Sequence, residues 1–65
     1  MNFSELSNII KSRRKSLHLT QQELADLSEL NINTIVSIER SKGDIKISTF
    51  LKISNTLGLN FKLDL

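Results

Sequence analysis

Cysteine is absent from the 65 residues, so there is no disulfide framework, no thiol nucleophile and no thiolate metal site, and a cytoplasmic setting is expected. Tryptophan and tyrosine are missing too, which leaves a core to be built from aliphatic side chains and three Phe. Proline does not occur, and no internal repeat or low-complexity linker divides the chain. No apolar run approaches the roughly 20 residues of a membrane span. Met1-Asn2-Phe3-Ser4-Glu5 lacks the basic-then-apolar order of a signal peptide, so an intracellular protein with no membrane association is expected. Neither sign of charge dominates: nine Lys and Arg face seven Asp and Glu, a formal net charge of +2. That mildly basic balance is compatible with nucleic acid and is no evidence for it.

What is present is an ordinary globular composition, 38% hydrophobic and 25% charged. The length allows one small domain over residues 1–65 and rules out a multidomain enzyme. So short a chain buries a small core, and burial against a second copy would help it considerably.

Apolar spacing predicts four helices. Leu6, Ile9, Ile10 and Leu17 recur on one face of a first helix from Glu5, with Ser4 as its cap. Thr20-Gln21-Gln22-Glu23 reads as a capping box opening a second helix, with Leu24, Leu27 and Leu30 inward and Ala25 small enough for close approach. Asn31 caps a third helix running to about Ser41, and Gly43 is placed to end it in a left-handed turn. Ser48 is the expected cap of a fourth, with Phe50, Leu51, Ile53 and Leu57 inward and Gly58 as terminator.

After Gly58 the period changes to two. Leu59, Phe61, Leu63 and Leu65 alternate with polar residues, which predicts a strand with one buried face. No second strand in the chain suits it, so the simplest mate is the same segment of another copy, forming an antiparallel ribbon in a homodimer. A frayed tail, or one packed on its own chain, is the alternative.

The second and third helices are joined by about three residues, the spacing of a helix-turn-helix. On a wheel of the third helix, Ile35, Ile38 and Glu39 share the inner side. Asn33, Val36, Ser37 and Arg40 share the outer side, with Ile32 and Thr34 at its edges. Asn pairs bidentately with adenine, Ser and Thr bond several base edges, and Val or Ile meets a thymine methyl, so the outer side suits a DNA major groove. An arbitrary polar face on a helical hairpin is the plainer alternative. Arg14 and Glu39 each lie on an apolar stripe, where an isolated charge is expensive. They are expected to pair and tie the first helix to the third, unless each side chain reaches solvent by itself.

Thr20-Gln21-Gln22-Glu23-Leu24-Ala25, followed by Asn33-Thr34-Ile35-Val36-Ser37-Ile38-Glu39-Arg40, resembles the Cro/C1 (Xre-type) helix-turn-helix family over roughly residues 6–58. The resemblance implies an all-α, lambda-repressor-like fold and binding of a palindromic double-stranded operator. It implies that Gln21 touches a phosphate, that Ile32, Asn33, Thr34, Val36 and Ser37 face bases, that Arg40 and Lys42 touch the backbone, and that Arg14 pairs with Glu39. Three departures stand out. Glu29 replaces the family's glycine in the motif turn, so that turn is expected to manage without a free left-handed residue. Ser41 replaces a second glycine, and the alternating segment replaces a fifth helix. This last departure resembles the HipB-type antitoxins, which implies a sequence-specific repressor that autoregulates its operon and neutralises a HipA-like kinase toxin.

Arg13 belongs to the one basic run, with Lys11, Arg14 and Lys15, and is a further candidate for phosphate; Lys11 and Lys15 read as a solvated face. His18 has no companion for metal or acid–base work, and Glu23, Asp26 and Glu29 read as capping or solvated charges. With no phosphate loop, metal-ligand spacing or nucleophile–base pair, neither catalysis nor a cofactor is expected. Two rival readings stay open: a stand-alone Xre-type regulator with no toxin, and a protein-interaction module whose strand augments a partner's sheet without touching DNA.

Overall fold

A computed structural model describes residues 1–60, which form four helices: α1 (Phe3–Ser16), α2 (Gln21–Leu27), α3 (Ile32–Glu39) and α4 (Ile47–Leu57). Among the described residues there is no strand. Phe61, Leu63 and Leu65 of the expected ribbon lie outside the described residues.

Helix starts follow local hydrogen bonding. The Asn2 side chain accepts from the Glu5 N–H at 2.8 Å and begins α1, which moves Ser4 into the first turn instead of the cap. Thr20 and Glu23 form the reciprocal box: the Glu23 N–H donates to Thr20 Oγ1 at 3.0 Å, and the Thr20 N–H donates to Glu23 Oε1 at 2.9 Å. The bonds from the Thr20 backbone and hydroxyl hold the Glu23 carboxyl below its ordinary pKa. Asn31 caps α3 through its own side chain, 2.7 Å from the Asn33 N–H. Ser48 does not cap α4; the helix begins at Ile47 behind Lys46, with no side-chain cap. Packing of Ile53 and Leu57 stands in for that missing local signal.

Helix ends share one device. His18, Glu29, Ser41 and Gly58 each have φ between 55° and 68°, the left-handed region. The next N–H then bonds back across the turn: Leu19 to Arg14, Leu30 to Ala25, Lys42 to Ser37 and Leu59 to Ser54, at 2.8–3.1 Å. In three of the four the following residue is Leu, and Leu19, Leu30 and Leu59 pack against the core. Leu59 thus lies against its own chain's core. The motif turn does use a left-handed residue, Glu29, despite its side chain, and Ser41, not Gly43, closes α3.

A side chain in that region costs an L-residue about 1–2 kcal/mol, which glycine avoids. Glu29→Gly is therefore expected to raise stability by about 1 kcal/mol and the thermal midpoint by about 4–8 °C. Circular dichroism on heating measures this; an unchanged midpoint would mean that Glu29 adopts another backbone conformation in solution.

The core comprises Ile10, Leu24, Ala25, Ile35, Ile38, Ile53 and Leu57. The fully buried Ala25 lets α3 pack closely on α2. Three expected core positions are exposed: Leu17 at 40%, Leu27 at 63% and Leu51 at 52%. Leu17 is the C-cap beyond α1. Leu27 ends the short α2, where the core place passes to Leu30 in the turn. Leu51 stands two residues from Ile53, about 200° around the helix, and so faces away.

Candidate nucleic-acid interface

The turn between α2 and α3 fixes their relative placement, and α3 is then seated by Ile35 and Ile38, 0% and 3% exposed. Its last helical residue, Glu39, is brought together with Arg14 of α1. Arg14 Nε donates to Glu39 Oε2 at 2.6 Å and Nη2 to Oε1 at 2.8 Å, with the two side chains 9% and 2% exposed. Arg14 Nη1 also donates to the Leu19 carbonyl at 2.8 Å, so one guanidinium holds both α3 and the turn after α1. These bonds to Glu39 hold the Arg14 pKa above its ordinary value, against the opposing effect of burial. The two-pronged geometry fixes direction as well as distance.

Gln21, at the first position of α2, donates from Nε2 to Glu39 Oε1 at 3.3 Å. Its amide carries a second N–H that makes no hydrogen bond among the described residues. The sequence did not disclose that Gln21 belongs to the same cluster.

The other side of α3 presents Asn33, Ser37 and Arg40 exposed, with Thr34 and Val36 half-buried. Among the described residues, neither the Asn33 nor the Ser37 side chain makes a hydrogen bond. Their donors and acceptors therefore face solvent. Ile32, expected to face bases, packs part of its side chain on the core, because the first turn of α3 lies against the body of the fold. An open groove runs beside this face, lined by Asn33, Thr34 and Ser37 together with Lys42, Lys46 and Thr49. Lys46 is an addition that no motif position signalled; it borders the groove because α4 starts directly after it. Asp44 also lines the groove and offsets part of this positive charge.

Arg13, expected at a phosphate, is exposed and also makes a bond within the fold. Its Nε donates to the Leu57 carbonyl at 2.9 Å, which satisfies the C-terminal end of α4. Lys11, Lys15 and His18 are exposed. Among the described residues no group of three or more His, Asp or Glu side chains could hold a metal ion. No helix among them is long and apolar enough to cross a membrane.

No curated protein matches the chain. Solved structures share its fold over nearly the whole length, two of them as follows. One is described as "MDT Protein" and the other as "Structure of HipA-HipB-O2-O3 complex". Each is 30% identical, with 98% of this chain and 90% of the other covered, at a TM-score of 0.87. The family model described as "Helix-turn-helix" matches residues 10–63. That match spans α2, the turn, α3 and the Arg14–Glu39 pair that fixes them, and so the chain belongs to the Cro/C1-type helix-turn-helix family of DNA-binding regulators.

Proposed function

We propose that the chain is a sequence-specific transcriptional repressor acting as a homodimer on a palindromic operator, with α3 of each protomer in a major groove. The observation that carries this reading is the two-sided character of α3. Its inner side is locked by Ile35, Ile38 and the Arg14–Glu39 pair, while the Asn33 and Ser37 side chains stand exposed with no hydrogen bond among the described residues. Asn33, Thr34, Val36 and Ser37 read base edges, with Ile32 at the margin. Gln21, Arg13, Arg40, Lys42 and Lys46 meet phosphates; Arg13 does so through its Nη groups, since its Nε bonds the Leu57 carbonyl. Two protomers joined through residues 59–65 would set their α3 helices about 34 Å apart, or a multiple of it.

The likeness to a chain of the HipA-HipB-O2-O3 complex supports a narrower role, that of the antitoxin in a HipBA-like module. In that role the protein represses its own operon in the cytoplasm and neutralises a HipA-like kinase toxin, without catalysis of its own.

A mobility shift on the duplex upstream of the protein's own reading frame, at two salt concentrations, tests the DNA reading. Asn33→Ala is expected to weaken specific binding by about 1–3 kcal/mol and to relax the preference at one base pair. Unchanged preference would remove Asn33 from the readout. Equal or absent binding to operator and scrambled duplexes would favour the protein-interaction module instead.

A further inference from the structure

A hydroxyl relay joins α1 to the turn that follows α3. Ser41 Oγ donates to Ser7 Oγ at 2.9 Å, and Ser7 Oγ donates to the Ile38 carbonyl at 2.6 Å. The Ser41 N–H donates to that same carbonyl at 3.0 Å, so the three groups close a ring. Ser7 is 1% exposed, a fully enclosed hydroxyl whose bonding is satisfied by this ring.

Ser41 stands at φ 55°, where glycine would be the less strained residue. Of the three non-glycine residues with positive φ, it is the one whose side chain makes a hydrogen bond among the described residues. A strained backbone that persists with a specific side-chain bond points to what the side chain does. The turn beyond has little packing of its own: Lys42 is exposed, and a Cβ on Gly43 would meet nothing within 4 Å. That turn forms the lip of the groove beside Ser37. Two features tie it to α3: the bond from the Lys42 N–H to the Ser37 carbonyl at 2.9 Å, and the ring at Ser41, which is its side-chain anchor.

We propose that Ser7 and Ser41 are positioning residues that hold the Lys42 turn at the level of the DNA backbone while α3 lies in the groove. This deepens the DNA-binding reading above and rests on it. Neither hydroxyl is required to touch DNA; they act through the backbone of the turn.

The test uses the full chain, with Ser41→Gly, Ser7→Ala and the double variant. Each is measured for thermal midpoint and for binding to the upstream duplex at two or more salt concentrations. In Ser41→Gly, relief of the left-handed strain offsets the lost hydroxyl bond, so the midpoint stays level or rises. Binding nevertheless weakens by about five- to tenfold. The salt slope becomes shallower by about one, the loss of one phosphate contact. The double variant binds no more weakly than the weaker single variant, as expected of groups acting as one unit. A merely structural hydroxyl would instead make affinity follow the midpoint. Wild-type binding and slope in Ser41→Gly would overturn the proposal even if Ser7→Ala fails to fold. A wild-type protein that ignores the duplex, while Asn33→Ala behaves identically, would overturn the DNA reading itself.

Discussion

Arg14→Ala is expected to destabilise the protein by about 3–5 kcal/mol, because it leaves the Glu39 carboxylate buried without its cation. The Glu39 side chain is 2% exposed, and the change removes two bonds to it and one to the Leu19 carbonyl. Gln21 alone, at 3.3 Å, cannot replace a bidentate guanidinium. Small proteins are stable by only about 5–15 kcal/mol, so the change removes a large share of the total stability. Urea denaturation followed by circular dichroism gives the number.

The net contribution of the pair is a separate matter. Two charges removed from water recover most of that cost, and little more, from each other. Replacing both together, Arg14→Met with Glu39→Leu, is expected to restore most of the stability lost in the single variant. DNA binding should recover less, since α3 would keep its packing but lose the bond that sets its direction. A single variant within 1 kcal/mol of wild type would show that Glu39 reaches water in solution.

Ile35→Ala should be nearly as damaging, at about 2–5 kcal/mol. Ile35 is 0% exposed in the one core that α1, α2, α3 and α4 share, and α3 packs against α1 and α2. The smaller side chain forfeits transfer free energy and leaves a cavity that rigid neighbours fill incompletely. Ile35→Val, with a single methyl group removed, is expected to cost about 0.5–1.5 kcal/mol, which grades the effect. Ile35 and Glu39 are one helical turn apart, so losses at the two positions should not add. If Ile35→Ala left the urea midpoint unchanged, the inner side of α3 would not be the buried one.

Much of this was legible in residue types because the physics is local. Thr20 and Glu23 lie three apart, and Asn31 precedes an apolar-periodic run, so both helix starts could be read directly. The Arg14–Glu39 pair is a long-range contact that was still readable, because a charge on an apolar stripe demands an opposite partner. Other features carried no such mark. Glutamate and serine give no sign of left-handed backbone, so the conformations of Glu29 and Ser41 came only with the structure. Ser7 reads as an ordinary polar residue, yet its partner is a carbonyl 31 positions away. Helix α4 begins behind Lys46 without a side-chain cap because tertiary packing, which no short window contains, stabilises it. Arg13 reads as one of a basic run, and its bond to the α4 terminus, 44 positions away, has no local signal. The alternation from Leu59 onward is as clear as any pattern in the chain, but apart from Leu59 its apolar residues lie outside the described ones.

Amide chemical shifts of labelled protein, titrated with the upstream duplex and with a scrambled one, address the reading face most directly. Residues 32–42 and Gln21 should move most, and differently for the two duplexes at Asn33, Val36 and Ser37. Shifts confined to α1 or α4, or identical for both duplexes, would contradict a recognition role for α3.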